Sequence, residues 1–393
     1  MSPSAPGSRP LRVLIAPDSF KGSLDPTAVA GALADGWRRA RPLDEITLIP
    51  LADGGEGTLE AIKATRGEWL ELPVHARDPL GRPLRATFLR RGDEAVIEMA
   101  VASGLARLAP DERDALAAST FGTGQVIAAA IGLGVRDIIL GMGGSATTDG
   151  GAGLLTALGA RFYDQEGSDL APGGGALAGL ARVDLDGVSP VLGEVHLTIA
   201  SDVTNPLLGE RGAAATYGPQ KGANAEQVVH LDANLARYAE LLEAAAGRAI
   251  RDQPGSGAAG GAIAGLLAIA ERFASFDIRP GVEVVMELAG FDTALAGADL
   301  VITGEGRIDE QTGYGKTAYG VARRAREVGA RCICFGGGCL PGGFDVLAEL
   351  GAIVVPIVER PMSIEQAMAA GPAPLVRAAE RTARLVSFLD GAG

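Results

Sequence analysis

The chain has 393 residues, a formal net charge of −13, 47% hydrophobic residues, 57 glycines and 4% aromatic residues. This length favours two domains, and the composition suits an α/β enzyme with glycine-rich turns better than a disordered or fibrous chain. The negative charge argues against non-specific nucleic-acid binding and against binding to an anionic membrane surface. No apolar run reaches about 18 residues and residues 1–10 lack an apolar signal segment, so we expect a cytosolic protein with a disordered tail over 1–10.

The first predicted strand ends in a polar loop. An apolar run, residues 11–16, precedes an amphipathic helix that is predicted to begin near Asp25. The loop between them contains Asp18, Ser19 and Lys21, at the carboxyl end of a strand, where open α/β sheets bind ligands. The alternative to ligand binding is that these residues only form the turn and cap the helix. That interpretation fits Lys21 least.

The second predicted strand, residues 46–51, also ends in a glycine-rich loop with carboxylates. Asp53 and Glu56 flank the glycines of this loop, and a helix is predicted over residues 58–65. Two acids beside such a turn suit a cation or substrate hydroxyls, although Asp53 could instead cap the helix. We rank substrate or metal contact first.

A third loop, residues 141–153, has six glycines in thirteen residues. It lies between a predicted strand over 135–140 and a predicted helix over 154–162. Glycines let backbone N–H groups approach an anion, and a helix start adds a positive dipole end. A tight turn with an N-cap residue is the competing interpretation for any single loop of this kind. The ligand candidates here are Gly143, Gly144, Ser145, Thr147 and Thr148, and Asp149 supplies a carboxylate to the loop.

A further strand, residues 195–200, leads into a segment with Asp202 and Asn205. Asp202 stands at the strand end, where a catalytic base or a metal ligand would stand. Asn205 precedes a proline and is a turn former first. Lys221 follows in a Gln-Lys-Gly turn.

The last group of candidates follows a strand over residues 299–303. The loop predicted over 304–313 leads to Lys316 and a helix that ends near residue 328. Its chemistry-bearing residues are Gly304, Glu305, Arg307 and Asp309. Further βα units are predicted with strands at 332–335 and 353–358.

The pattern of strands indicates two domains. Runs from residue 70 to 99 alternate as antiparallel strands do, whereas both chain ends show the doubly wound βα pattern. We therefore predict one parallel-sheet α/β domain from residues 1–70 and 290–393, and an inserted mixed α/β domain over 71–289. The site is expected in a cleft between them.

Lysine is rare in this chain, since only four of 35 basic residues are lysines. Three of them, Lys21, Lys221 and Lys316, lie in glycine-flanked turns. A compact ammonium group is a good point-charge partner for phosphate. We therefore favour a site role for these three over chance clustering.

Glycine, carboxylate and lysine recur together at the strand ends, which suits phosphoryl transfer. Carboxylates can hold Mg²⁺, while lysines and backbone amides neutralise the moving phosphoryl group. No G-x-x-x-x-G-K-[ST] run is present, and the first strand does not lead into G-x-G-x-x-G. A hydroxy-acid reductase and a non-catalytic sensor of sugar acids are the alternatives. The missing dinucleotide fingerprint disfavours the first, and the lack of a basic helix-turn-helix disfavours the second.

Five motifs together resemble the bacterial glycerate kinase family of glycerate and glucarate catabolism. They are IAPDSFKGSL at 15–24, ADGGEGT at 52–58, GMGGSATTDGGAG at 141–153, SDVTNPLLGERGAAATYGPQKGA at 201–223 and TGEGRIDEQTGYGKT at 303–317. The resemblance covers the chain from residue 11 to about residue 388. The GGGCLPGG segment at 336–343, predicted as a loop, departs from the family pattern and puts local contacts there in doubt.

The resemblance implies ATP-dependent phosphorylation of D-glycerate with Mg²⁺, on a two-domain fold whose Rossmann-like domain uses both chain ends. Similar members mostly make 2-phosphoglycerate, so we expect that product over 3-phosphoglycerate. Oligomeric state stays open, a homo-oligomer included. We expect Asp202 to be the base or a Mg²⁺ ligand, Glu305 and Asp309 to be further metal ligands, and Lys21, Lys221 and Lys316 to neutralise charge. The expected substrate and phosphate contacts are Asp18, Ser19, Asp53, Glu56, Gly143, Gly144, Ser145, Thr147, Thr148, Asn205, Gly304 and Arg307.

Overall fold

A computed structural model of the chain describes residues 9–65 and 67–390. Residues 1–8, most of the predicted tail, lie outside this range. Arg9 is anchored, because its guanidinium donates to Asp299 at 3.2 Å and its carbonyl accepts from Arg41 at 3.2 Å. The disordered tail over 1–10 stays a prediction.

Thirteen strands lie within the described residues. In chain order they are β1 (Arg12–Ile15), β2 (Glu45–Leu48), β3 (Leu70–Arg77), β4 (Pro83–Arg91), β5 (Glu94–Glu98), β6 (Asp137–Gly141), β7 (Arg161–Tyr163), β8 (Arg182–Asp184), β9 (His196–Ala200), β10 (Ser275–Arg279), β11 (Leu300–Ile308), β12 (Arg331–Cys339) and β13 (Ala352–Pro356).

The same part of the chain forms fourteen α-helices. They are α1 (Pro26–Ala40), α2 (Thr58–Lys63), α3 (Ala100–Ser103), α4 (Phe121–Gly132), α5 (Ala152–Ala157), α6 (Ala213–Tyr217), α7 (Ala225–Ala246), α8 (Ala258–Ala268), α9 (Gly281–Ala289), α10 (Phe291–Leu295), α11 (Thr317–Glu327), α12 (Pro341–Ala348), α13 (Ile364–Ala369) and α14 (Ala373–Asp390).

The chain divides into two compact units. The first comprises the residues up to Asp53, residues 60–67 and the chain from Pro280 onward, and the second comprises residues 54–59 and 68–279. The predicted boundaries lay at 70/71 and 289/290. Residues 54–59 join the second unit because the Leu59 N–H donates to the buried Glu98 carboxylate at 2.7 Å. The helix α9 joins the first unit because its Val285 and Met286 pack into that unit's core.

The first unit is built on a parallel sheet of five strands in the order β13-β12-β11-β1-β2. Alternate side chains of its strands face opposite layers, as the pleat requires. Val13 and Ile15 pack with α1 and α14 on one side, whereas Leu14 and Val301 pack with α9 to α12 on the other. This confirms the predicted Rossmann-like domain made from both chain ends.

The strands β11 and β12 continue into segments that the sequence indicated as loops. Glu305 and Arg307 lie on β11, and residues 336–339 lie on β12. The glycines permit this, because Gly304 packs so closely against β12 that a Cβ would lie 2.6 Å from the Phe335 carbonyl oxygen. The loop prediction is therefore wrong at these positions.

The second unit contains a mixed sheet of six strands in the order β10-β9-β6-β5-β4-β3. The pairs β3/β4 and β4/β5 are antiparallel, as predicted, and the other three pairs are parallel. The strands β7 and β8 form a separate two-stranded sheet. The predicted helix over 154–162 is wrong beyond Ala157, because Gly159 adopts a φ of +109° and Phe162 lies in β7. The inserted mixed α/β domain is otherwise confirmed.

Candidate active site

In the first unit, Asp18, Lys21, Asp53 and Glu305 come together at the carboxyl ends of parallel strands. The Asp18 N–H donates to the Gly304 carbonyl at 2.8 Å, which ties the end of β1 to β11. Because neighbouring parallel strands end at one edge of the sheet, loops distant in sequence are brought close together there. The sequence predicted strand-end site residues at these four positions, and their role in binding a ligand stays a prediction.

Asp18 is buried, and both of its carboxylate oxygens accept hydrogen bonds. The Ser19 N–H donates to Oδ1 at 2.6 Å and the Thr317 hydroxyl donates to Oδ2 at 2.6 Å. Burial raises the pKa of Asp18 to about 6, and the Asp53 carboxylate adds to this rise. Asp18 therefore gains or loses a proton near neutral pH when no ligand is bound.

Lys21 is the most accessible member of the cluster. Its ammonium lies 3.2 Å from Asp53 Oδ2, and its side chain is 68% exposed. The Asp53 carboxylate is the main cause of a raised Lys21 pKa, so this lysine stays positively charged. A charged, accessible ammonium beside carboxylates can bind an incoming phosphate.

Glu305 is buried and accepts a hydrogen bond from the Thr312 hydroxyl at 2.6 Å. Burial raises its pKa to about 7. The Lys316 ammonium opposes this rise, whereas Asp18 and Asp53 add to it. Glu305 is thus a second carboxyl group that titrates near neutral pH.

The Asp309 carboxylate already has three partners within its own unit. Its carboxylate lies 2.8 Å from Arg307 and 3.5 Å from Lys316, and it accepts from the Gln311 N–H at 3.0 Å. The last bond caps the short 3-10 helix that begins at Glu310. Its assignment as a metal ligand stays a prediction.

The glycine-rich loop of the second unit has an accessible tip. Gly144 is exposed and has a φ of +73°. Gly143 packs so tightly on the segment before α2 that a Cβ would lie 2.3 Å from Gly55 Cα. Glu56, in the same segment, is exposed. Only glycine fits at both tip positions, so the tip offers backbone rather than side chains.

The base of the loop is buried. Ser145, Thr147 and Thr148 are 7%, 0% and 0% exposed, and the Thr147 and Thr148 hydroxyls have no hydrogen-bond partner among the described residues. Lys221, 1% exposed, donates to the Ser145 hydroxyl at 2.9 Å and to the Thr147 carbonyl at 2.5 Å. Burial lowers the pKa of Lys221 to about 7, and Asp149 opposes this. Lys221 and the buried residues of the loop thus lie together, a contact that the sequence did not indicate.

Asp149 holds the loop from within, whereas the sequence indicated only that it supplies a carboxylate to the loop. Its carboxylate accepts from the Thr120 N–H at 2.8 Å, the Thr120 hydroxyl at 2.9 Å and the Gly151 N–H at 3.1 Å. Burial raises its pKa, while these bonds oppose the rise. No sequence signal links residue 120 to residue 149, since the pairing depends on tertiary structure.

The two remaining candidates of the second unit follow β9. Asp202 is half-buried in the segment after the strand. The Asn205 amide donates to the Arg211 carbonyl at 2.8 Å and accepts from the Tyr217 hydroxyl at 3.0 Å. These bonds favour the turn-forming role of Asn205.

Three further features escaped sequence reasoning. Thr317 and Thr312 orient Asp18 and Glu305 through their hydroxyls. Ala259 has a φ of +53°, and Gly260 and Gly261 continue the left-handed turn at the start of α8. The sequence around Ala259, Gly260 and Gly261 indicates a flexible glycine-rich segment. No pattern in that segment shows that it packs against the glycine-rich loop at 141–153.

The first-unit cluster offers oxygen ligands of the kind that Mg²⁺ prefers. Across residues 9–65 and 67–390, no three His, Cys, Asp or Glu side chains are placed to hold a metal ion. Mg²⁺ commonly takes one or two carboxylates and completes its shell with substrate phosphates and water. The buried carboxyls of Asp18 and Glu305, whose pKa values are raised partly by neighbouring carboxylates, fit that chemistry.

Two other features lie outside the predicted sites. A cavity of about 690 Å³ in the second unit is lined by Phe121, Phe162 and Leu170, among others, and by none of the predicted site residues.

Within the part of the chain that the structure covers, no helix has both the length and the apolar character needed to cross a membrane.

The fold and its strand-end sites define a two-unit α/β enzyme. The glycerate kinase family model matches residues 13–387. Glycerate kinase from Halalkalibacterium halodurans is 44% identical over 96% of this chain and 98% of its own length. Glycerate 2-kinase from Escherichia coli is 43% identical over 81% of this chain and 82% of its own. The chain belongs to the glycerate kinase family, which confirms the resemblance.

A solved structure agrees. The crystal structure of a proposed glycerate kinase 2 from Salmonella typhimurium LT2 superposes with a TM-score of 0.79 at 41% identity. It covers 98% of this chain, and this chain covers 99% of it. The similarity therefore extends over both units.

Proposed function

We propose that this protein is an ATP-dependent kinase that transfers the terminal phosphoryl group of ATP to D-glycerate and forms 2-phosphoglycerate. The observation that carries the proposal is the group of Asp18, Lys21, Asp53 and Glu305 at the strand ends of a chain in the glycerate kinase family. The name of the Escherichia coli relative, glycerate 2-kinase, supports the 2-position.

Lys21 and Lys316 neutralise phosphate charge in this proposal. Both ammonium groups lie beside carboxylates, at 3.2 Å from Asp53 and 3.5 Å from Asp309. Charge neutralisation and positioning dominate phosphoryl transfer, because its transition state is loose and highly charged. Asp18, Ser19, Gly304 and Arg307 form the surrounding substrate and phosphate contacts.

Glu305 is the first candidate to hold Mg²⁺, with Asp309 of the same unit as a further ligand. When bound, Mg²⁺ supplies positive charge to the phosphate oxygens. A cation also lowers the pKa of a neighbouring carboxyl, so Glu305 becomes fully ionised in the loaded enzyme. The Thr312 hydroxyl, which donates to Oε1, orients the carboxylate for this role.

Asp202 accepts the proton of the reacting glycerate hydroxyl. It follows the parallel strand β9, at the position where α/β enzymes place catalytic groups. Asp202→Asn keeps the shape of the side chain but removes its basicity, so kcat falls by about 100-fold or more while thermal unfolding is unchanged. A kcat within a few-fold of the unmodified enzyme would remove Asp202 from this role.

The loop tip at Gly143 and Gly144 binds an anion through backbone N–H groups. Close packing at Gly143 and the positive φ of Gly144 disfavour side chains there, so the tip can approach a carboxylate or phosphate closely. A cytoplasmic location accompanies the proposal, because the reaction draws on metabolic ATP.

The decisive experiment is a coupled assay of ADP formation with D-glycerate, L-glycerate and no acceptor. We expect ADP formation that depends on D-glycerate and Mg²⁺ and stops with EDTA. Phosphorus NMR of the product then distinguishes 2-phosphoglycerate from 3-phosphoglycerate. Oxidation of NADH by the purified protein with hydroxypyruvate, or binding of D-glycerate without ADP formation, would overturn the kinase proposal.

A further inference from the structure

Lys221 is an ammonium group sealed inside the second unit. It ends the 3-10 helix Pro219–Lys221, and Gly222 follows with a φ of +96°. Its side chain is 1% exposed, so the ammonium does not reach solvent, and its bonds go to two neutral oxygens, Ser145 Oγ and the Thr147 carbonyl. A phosphate would have no access to it in this arrangement.

A lysine in such a place is costly to the fold. Burying a charge without a directly paired carboxylate loses hydration, and an apolar side chain of similar size would avoid this loss. The nearest charged influence is Asp149, whose own carboxylate is taken up by Thr120 and Gly151. A side chain that weakens the fold in this way needs an explanation other than stability.

The bond to Ser145 fixes the direction of a hydroxyl proton. In its charged form Lys221 can only donate, so Ser145 Oγ accepts from it, and the hydroxyl's own proton points elsewhere. Ser145 follows Gly144, the exposed tip of the loop. A serine O–H held in this way is a donor suited to an anion at the loop tip.

The Thr147 carbonyl is fixed from a second side. Gly260 packs against it so closely that a Cβ would lie 1.9 Å from the oxygen. Gly260 is the middle of the left-handed turn that begins at Ala259, the one non-glycine residue with positive φ in the described chain. An alanine in this conformation costs about 1 kcal/mol, and such strain is usually found where function requires a fixed geometry.

We propose that Lys221 is a positioning residue, which holds the glycine-rich loop rigid through Thr147 and directs the Ser145 hydroxyl proton toward an anionic ligand at the loop tip. This rests on the proposed kinase activity for its catalytic consequence. It assigns to Lys221 a role different from direct neutralisation of phosphate.

A double-mutant cycle tests the proposal. Lys221→Met and Ser145→Ala should each lower kcat by roughly 10- to 100-fold with a smaller effect on KM. Because both act through one hydroxyl, the double variant should fall no further than about twofold below the worse single variant. Effects that multiply would show that Lys221 acts independently of Ser145, which overturns the proposal. Lys63→Met, at an exposed position of helix α2, is the matched control and should leave kcat unchanged.

Amide hydrogen exchange gives a readout that needs no activity. In Lys221→Met, peptides covering residues 143–149 should exchange about tenfold faster or more, while peptides from α7 and from the first-unit sheet keep their protection. If Lys221→Met does not fold, Ser145→Ala still decides, because a kcat near that of the unmodified enzyme overturns the proposal. If the unmodified protein forms no ADP with glycerate, the kinase proposal fails, and loop exchange alone then decides whether Lys221 holds the loop.

Discussion

The carboxylate and lysine cluster of the first unit and the glycine-rich loop of the second unit prepare for anions by different physical means. In the cluster, Asp18 and Glu305 have raised pKa values because they are buried near other carboxylates. In the loop, the chain is shaped by close backbone packing at Gly143 and by left-handed glycines. In the cluster, the carboxylates repel one another, which is unfavourable before ligands bind. In the loop, the backbone is fixed in one conformation.

This difference predicts opposite responses to substitution. Removing a charge from the cluster should reduce activity with little loss of stability, since the carboxylates repel one another before ligands bind and the Lys21 ion pair is largely exposed on the lysine side. Adding a methyl group in the loop should reduce stability, since the space is already filled by backbone. The predictions below test this contrast, from the largest expected effect to the smallest.

Lys21→Met removes the accessible ammonium of the cluster. We expect kcat/KM for glycerate phosphorylation to fall by about 1,000-fold, because a positive charge at the developing phosphoryl charge is lost. The ion pair with Asp53 is largely solvent-exposed on the lysine side, so its loss should change the free energy of unfolding by less than about 1 kcal/mol. Steady-state kinetics and urea unfolding measure the two quantities. A large loss of stability with nearly normal kcat/KM would show that Lys21 stabilises the fold and does not act in catalysis.

Gly260→Ala places a methyl group against the Thr147 carbonyl. Its Cβ would lie 1.9 Å from that oxygen, and the φ of +69° disfavours any side chain. We expect a loss of about 2–4 kcal/mol in the free energy of unfolding, from steric overlap and backbone strain together.

Gly134→Ala is the control for Gly260→Ala. Gly134 has a φ of +89°, but a Cβ there would meet no atom within 4 Å. Its substitution therefore isolates the backbone term, about 1 kcal/mol. Equal losses in the two variants, measured by urea unfolding, would mean that packing against Thr147 contributes nothing.

Glu305→Gln tests the electrostatic side through pH. The folded pKa of Glu305, about 7, lies above its ordinary value of 4.5, so the folded state keeps a proton that the unfolded state has lost. The stabilising contribution is complete below pH 4.5 and is lost as the pH rises through about 7. The unmodified protein should thus lose on the order of 1–3 kcal/mol relative to Glu305→Gln between about pH 5 and pH 8. Urea unfolding of the metal-free proteins measures this, and parallel curves would refute the raised pKa.

The elements with local signals were predictable from the sequence. The helix α1 begins after Asp25, as predicted, and the Asp25 carboxylate caps it by accepting from the Ala28 N–H. The parallel unit made from both chain ends followed from strands that each end in glycine and carboxylate. The same pattern indicated carboxylates and lysines at strand ends, and Asp18, Lys21, Asp53 and Glu305 lie together because parallel strands end at one edge.

Features that depend on tertiary packing were not predictable. Glycines at 304 and 336–338 indicated a loop, yet they allow β11 and β12 to pair closely and lengthen both strands. Lys221 resembled the other turn lysines in sequence, and only the fold shows that it is buried. Asp149 likewise holds the loop through residue 120, a partner 29 positions away that no local pattern identifies.

Asn205→Ala is the smallest expected change and separates the turn role from a substrate contact. The Asn205 amide bonds to the Arg211 carbonyl and to the Tyr217 hydroxyl, so its loss should lower the free energy of unfolding by about 1–2 kcal/mol. Tyr217→Phe breaks one of the same bonds, and the double variant should lose less than the sum of the two single losses. Additive losses would show that the two side chains do not support each other. If Asn205 also contacts glycerate, as its motif predicts, KM for glycerate rises in Asn205→Ala and does not rise in Tyr217→Phe.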